Sequence, residues 1–284
     1  MPPASQRNSS DIPPPPSYPA TPAFPELGYT GEKRPSGPWL RIPLQKPLLT
    51  PLMLGVLVGI FFLMTLSPQT ERLFIAQGAK ISELVYEGEW WRLITATFLH
   101  AGILHMLFNG YALYVIGMDL EAFVGRARFA AIYAISGLAG SVASFIFSPF
   151  RVPGVGASGA IFGLIGALGV YFGLHRRLFG KIGQAQFWNI IGVIVLNVAL
   201  GFSGIFPIDN SAHLGGLLAG AAVGYVLCPR YALGEWSSPE ARDVVNVNKS
   251  ALAWVATALI AAIVVGVFLV ALLLIRAEIY VPSY

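Results

Sequence analysis

Three polar residue types at fixed spacing carry the chemistry this sequence can offer. His100, His105 and Asn109 form the pattern HxxxxHxxxN, Ser158 stands in Gly156-Ala157-Ser158-Gly159, and His213 follows Ala212 and precedes Gly216 and Gly220. All lie within or at the edge of apolar runs, where a polar side chain is costly and marks a functional site by default. The remaining histidine, His175, falls in a His-Arg-Arg run and is expected to be a solvated loop residue.

Nucleophilic catalysis suits these residues best. Ser158 follows Pro153-Gly154 and opens an apolar run, so it is expected at a helix start, where free backbone N–H groups and the positive dipole end stabilise an oxyanion. The glycines beside it let backbone and substrate approach closely. His213 would act as the base that activates the hydroxyl, with no intramembrane Asp to orient it, which makes the pair a dyad. His105 and Asn109 are four apart, about 40° around a helix, and present two donors in one direction. Each residue also has a plain reading: Ser158 as a small packing residue, His105 and Asn109 as interhelical hydrogen bonders, Phe162 as core. Phe162, one turn below Ser158, could equally stack on the His213 imidazole.

A metal site fits less well. His100 and His105 are five apart, about 140° around a helix, and do not share a face. The usual helical zinc pair is four apart with a glutamate between. Asp209 lies near His213, but Asp209-Asn210-Ser211 reads better as the cap of a helix. Neither metal nor cofactor is expected.

The elements that must position these residues are membrane spans. Of 284 residues, 55% are hydrophobic and 11% charged, against about 25% charged in soluble chains. The mean hydropathy is +0.67. The net charge of +4 comes from 18 scattered Lys and Arg, which argues against a nucleic-acid partner. A lone cysteine, Cys228, excludes an intrachain disulfide. Seven stretches are long enough to span a bilayer core, which needs roughly twenty apolar residues: 48–66, 103–123, 129–147, 157–174, 187–206, 211–228 and 251–275. Placing the N-terminus in the cytosol puts thirteen of the 18 Lys and Arg on that side, which fixes the orientation. The second, fourth and sixth spans then start on the other side, and His100, His105, Asn109, Ser158 and His213 share one shallow layer. Gly159, Gly163, Gly166 and Gly169 step along the fourth span, and His213, Gly216, Gly220 and Gly224 along the sixth; two such small-residue seams let backbones come close.

Residues 1–46 are Pro-rich and carry no apolar run, so a disordered cytosolic tail is expected there rather than a signal peptide or mitochondrial presequence. Within it, Pro15-Pro16-Ser17-Tyr18 has the PPxY form that docks in WW domains. Sequons at Asn8 and Asn248 fall on the cytosolic side, where they are not glycosylated.

Together these residues resemble the rhomboid intramembrane serine proteases. The likeness spans most of residues 48–275 and rests on Trp91-Arg92, on HxxxxHxxxN, on GxSGxxxG as Gly156-Ser158-Gly159-Gly163, and on AHxxGxxxG as Ala212-His213-Gly216-Gly220. It implies an all-α polytopic membrane fold, with a six-helix core over 47–229, a cytosolic linker over 230–250, a seventh transmembrane helix at 251–275 and a short non-cytosolic tail at 276–284. It also implies Ser158 as nucleophile, His213 as general base, and His105 and Asn109 as oxyanion donors beside the Ser158 N–H. His100 would be architectural, and Trp91 and Arg92 would shape the long first loop. Phe162 stands where the family often has Tyr, so the ring is kept and the hydroxyl lost. The resemblance implies no cofactor and substrates that are single-pass transmembrane proteins in the lipid bilayer. The helix placed after the core is the plan of eukaryotic secretory-pathway and some bacterial members and argues against mitochondria, while the proline-rich tail suggests a eukaryotic Golgi or other secretory-pathway membrane. Two rivals remain: a rhomboid-fold protein that escorts membrane clients without cutting, and a proton-coupled transporter. The latter would place its polar groups near the midplane on broken, often repeated helices.

Overall fold

The computed structural model describes residues 39–203, 208–238, 241–248 and 250–277; the PPxY motif and the Asn8 sequon lie outside them. Helix α1 (Leu49–Met64) has no capping side chain of its own. A carboxylate from α5 (Ile103–Val124) supplies the cap: Glu121 accepts from the Leu48, Leu49 and Thr50 N–H groups at 2.7, 2.8 and 2.7 Å and from the Thr50 hydroxyl at 2.8 Å. A negative charge at this end also complements the helix dipole. Small residues let α1 lie on α5, where a Cβ on Gly110 or Gly117 would press on Leu54 or Thr50.

The connection between α1 and α5, expected as one long loop, holds three short helices: α2 (Pro68–Gly78), α3 (Ser82–Tyr86) and α4 (Arg92–Thr95). Ser67 and Thr70 form a reciprocal capping box at the start of α2. The end of α2 is finished by residues further along the chain. Arg92 donates to the carbonyls of Ala76 (2.6 Å) and Ala79 (2.9 Å), Trp91 to that of Gln77 (3.2 Å) and Thr95 to that of Gly78 (2.8 Å). The orphan carbonyls that every helix leaves at its C-terminus are thus all met, which is the physical content of the Trp-Arg pair.

Beyond α5, Gly125 turns the chain at φ +85° into α6 (Arg126–Phe147). Helices α7 (Ser158–His175), α8 (Gly180–Phe202), α9 (Asn210–Leu227) and α10 (Ser250–Arg276) follow. The helix α8 starts seven residues before the expected span at 187. Central helix α7 is buried on nearly every side, whereas α8 and α10 keep most of their apolar surface outward, as lipid-facing helices do. Among the described residues, α5, α6, α7, α8 and α10 are long and apolar enough to cross a membrane, and α1 is a shorter apolar helix. Helix α9, diluted by glycine and polar residues, runs beside α7 from the pair Ala212–Gly159 to the pair Gly224–Ala167. The architecture is that of an all-α polytopic membrane protein.

Two findings depart from the sequence reading around the strands and the end of α7. First, part of the expected tail and linker is ordered: β1 (Trp39–Arg41), β2 (Tyr231–Ser238) and β3 (Ala241–Asn246) make a sheet of order β1-β3-β2. Strand β1 pairs parallel to β3 with Trp39 opposite Ala241, and β2 pairs antiparallel to it with Tyr231 opposite Asn246. Second, His175 is not a solvated loop residue. It ends α7, only 3% exposed, with Nδ1 2.7 Å from the Tyr171 carbonyl and Nε2 accepting from the Tyr231 N–H at 3.1 Å. It ties the sheet to the core. Asn248 likewise spends its amide on the carbonyls of Val226 and Cys228, both at 2.8 Å, at the end of α9.

Candidate active site

Glycine decides how the site is assembled. A Cβ on Gly216 would collide with the Gly159 carbonyl oxygen, one on Gly220 with the Gly163 backbone, and one on Gly224 would stand 2.8 Å from the Ala167 Cα. Helices α7 and α9 therefore touch backbone to backbone along the seam, and no other residue fits there. From the side, α6 closes the same junction: a Cβ on Gly140 would stand 2.8 Å from the Ala212 carbonyl oxygen and 3.2 Å from the Gly159 Cα.

This contact brings the sequence-picked residues of α7 and α9 together. The His213 ring stacks on Phe162, with centroids 4.0 Å apart and planes 14° from parallel. Phe162 is one turn along α7 from Ser158, its first residue. Residue Ala157 offers no side-chain cap, so the first N–H groups of α7 stay free of intrahelical partners. Ser158 itself is half-buried, and His213 is 9% exposed with Nδ1 lacking a hydrogen-bond partner. Among the described residues no hydrogen bond joins Ser158 to His213; catalytic contacts in free enzymes are often long and tighten with substrate.

Across from Ser158 stands His105. Gly156 holds φ +126°, and a Cβ there would lie 2.8 Å from both Cε1 and Nε2 of His105 and 3.9 Å from the Ser158 nitrogen. The imidazole and the Ser158 N–H therefore border one small space beside the Gly156 Cα, kept open because residue 156 has no side chain. His100 does not begin α5, as the spacing argument assumed. It precedes the helix, which starts after Gly102 (φ +95°), and its ring packs edge-on against His105 with centroids 5.2 Å apart. Only 1% exposed, it serves as a wall behind His105. Asn109 is buried one turn further, with Nδ2 donating to the His105 carbonyl at 2.9 Å, so one of its two amide hydrogens is committed to its own helix. Trp91 and Arg92 act on the α2 backbone rather than at the serine. The loop they build reaches the site through the backbone, since the Gly156 N–H donates to the Ala96 carbonyl at 2.9 Å.

Asp209 caps α9 as the sequence suggested, accepting from the Ala212 N–H at 3.0 Å, while its other contacts are the hydroxyls of Ser144 and Ser148 (2.8 Å for the latter). It does not reach the His213 ring. Sequence reasoning missed these two serines, and Lys80 beside them, because nothing local marks residues more than sixty positions from their partner.

Residues 87–230, half of the chain, match the sequence profile of the Rhomboid domain. The chain belongs to the rhomboid family. Among its relatives are Rhomboid protease GluP of Bacillus subtilis, 46% identical over 180 residues, and RHOMBOID-like protein 5 of Arabidopsis thaliana, 44% identical over 158 residues. These alignments cover 62% and 55% of this chain and 34% and 50% of the relatives, so this rhomboid spans about a third to a half of their length. The Putative rhomboid protease YdcA of Bacillus subtilis is 39% identical over 142 residues, which is 50% of this chain and 69% of that relative.

Proposed function

We propose that this rhomboid is an intramembrane serine endopeptidase. The observation that carries the reading is the His213 ring on Phe162, one turn from Ser158, with the His105 Nε2 and the Ser158 N–H bordering one space beside Gly156. In the reaction His213 takes the hydroxyl proton as Ser158 Oγ attacks the scissile carbonyl carbon. The oxyanion that forms is held by the Ser158 N–H, His105 and the free amide hydrogen of Asn109. His213 then hands its proton to the departing amine as the C–N bond breaks, and water, activated by the same ring, hydrolyses the acyl-enzyme. Substrates are single-pass transmembrane proteins whose helix unwinds beside the site. Because lipid cannot satisfy exposed backbone groups, segments with Gly, Pro or Ser near the membrane edge open most readily. The excess of Lys and Arg beside the sheet supports a cytosolic N-terminus, with the site opening to the opposite side of the membrane.

Purified protein in lipid, given a helix-destabilised transmembrane reporter, should cut it, and Ser158→Ala should not. Cutting that persists in the variant refutes the assignment. The open Ser158–His213 contact favours one second reading, an escort that binds clients without cutting. A serine-reactive fluorophosphonate separates the two, because it labels Ser158 only where His213 activates it.

A further inference from the structure

Lys80 is a cation that the fold has taken out of water. It lies between α2 and α3, only 3% exposed, and its Nζ donates to the Ser82 hydroxyl at 3.3 Å and the Ser144 carbonyl at 3.4 Å. Two long bonds to neutral oxygens do not compensate a buried ammonium. The charge that acts on it is Asp209, at the start of the helix that carries His213. Ser144 joins the two: its carbonyl accepts from Lys80 and its hydroxyl donates to Asp209. The Lys80 backbone is meanwhile paired with the serine segment, since its N–H donates to the Gly154 carbonyl at 2.9 Å and its carbonyl accepts from the Gly154 N–H at 2.8 Å. A Cβ on Gly154 would stand 3.1 Å from the Lys80 Cε, so the lysine stem lies flat against that glycine. One residue thus touches the segment leading into Ser158, the end of α6 and, through Ser144, the first turn of α9.

We propose that Lys80 and Asp209, bridged by Ser144, are a positioning pair that holds the Gly154–Ser158 segment and the start of α9 in register, so that Ser158, His105 and His213 meet in the reactive geometry. The pair touches no substrate, and its role rests on the catalytic reading above. Burial lowers the Lys80 pKa below its usual value, and Asp209 opposes that shift without cancelling it. The other charged or titratable groups facing this junction are few. Glu83 on α3 is engaged by Arg151 at 3.0 Å on the surface, His213 lies one turn into α9, and α6 contributes only the hydroxyls of Ser144 and Ser148.

The lowered pKa gives a signature that a merely structural lysine would not show. Between the folded and unfolded pKa values the unfolded chain binds more protons, so stability rises with pH through that alkaline window. Loss of the ammonium in the same window releases Asp209 and should lower kcat. Stability and activity therefore move in opposite directions in wild type, and both pH trends vanish in Lys80→Met.

The test is a mutant cycle of Lys80→Met, Asp209→Asn and the double variant, in the lipid reporter assay with thermal unfolding followed in parallel. Each single variant should lower kcat about tenfold to a hundredfold, as a displacement near 1 Å does, with KM changed less than about twofold. The double variant should be no worse than the poorer single one, because removing one partner strands the other charge. Wild-type kcat in folded Lys80→Met, or a wild-type kcat that stays level while stability climbs with pH, overturns the proposal. Should Lys80→Met fail to fold, Asp209→Asn and the wild-type pH profile decide alone. Cleavage by Ser158→Ala would sink the catalytic reading, whereas an inactive Ser158→Ala beside a fully active Lys80→Met sinks only the positioning pair.

Discussion

Replacing Gly216 by alanine tests whether the glycine seam sets the catalytic geometry. The added Cβ would fall 2.7 Å from the Gly159 carbonyl carbon and 3.1 Å from its Cα. Carbon atoms rest at about 3.5 Å, so clearing the carbonyl carbon alone parts α7 and α9 by about 0.8 Å, and the nearer carbonyl oxygen demands more. Both surfaces are backbone, and no rotamer can relieve the contact. The stability loss should therefore lie at the upper end of the overpacking range, about 3 kcal/mol. His213 is one turn from the substitution, and the same displacement would carry its ring away from Ser158. A misplacement near 1 Å costs about a hundredfold in rate. The assay is reporter cleavage in lipid at a temperature where the variant remains folded, with thermal unfolding followed in parallel. Gly266→Ala on α10, where a Cβ would meet nothing within 4 Å, is the control and should be neutral or slightly stabilising. A Gly216→Ala protein with wild-type rate and stability would refute the backbone-contact argument.

Other perturbations have equally definite outcomes. Glu121→Ala leaves the Leu48, Leu49 and Thr50 N–H groups without their acceptor, and should cost on the order of 3 kcal/mol of stability, read as a lowered unfolding midpoint. Arg92→Lys keeps the charge but cannot reach the carbonyls of Ala76 and Ala79 together; protease nicking near residues 76–80 should rise in that variant and not in wild type. His105→Ala should lower kcat about a hundredfold to a thousandfold with the unfolding midpoint little changed, since it removes a donor used in the transition state. An unaltered kcat there would remove His105 from the oxyanion site.

Long apolar spans and their order could be read directly, because a bilayer demands about twenty apolar residues wherever it is crossed. The glycine spacing on α7 and α9 was legible for a related reason: close backbone approach admits almost nothing else. Boundaries were less so. His100 was read into α5, and only the positive φ of Gly102, which is a tertiary fact, sets the helix start after it. The helices between α1 and α5 are short and polar, yet Ser67-Pro68 with Thr70 was a readable start signal. His175 escaped because its partner Tyr231 lies 56 residues on, and its neighbours in sequence are arginines. Strand β1 is three residues long, below any periodicity, and gains its identity only from β3.

That last pairing bears on how the protein is made. Trp39 and Ala241 are partners about two hundred positions apart, and synthesis delivers the chain from its N-terminus. Strand β1 leaves the ribosome early and must wait, with its backbone groups bonded to water, while the chain from α1 to α9 is made. The sheet can close only when β3 emerges, after Ser158 and His213 have already been made. Closing so long a loop costs little more than closing one half its length, about 0.6 kcal/mol. The delay is therefore one of sequence order, and sheet closure marks the moment when the helix carrying His213 has its far end fastened.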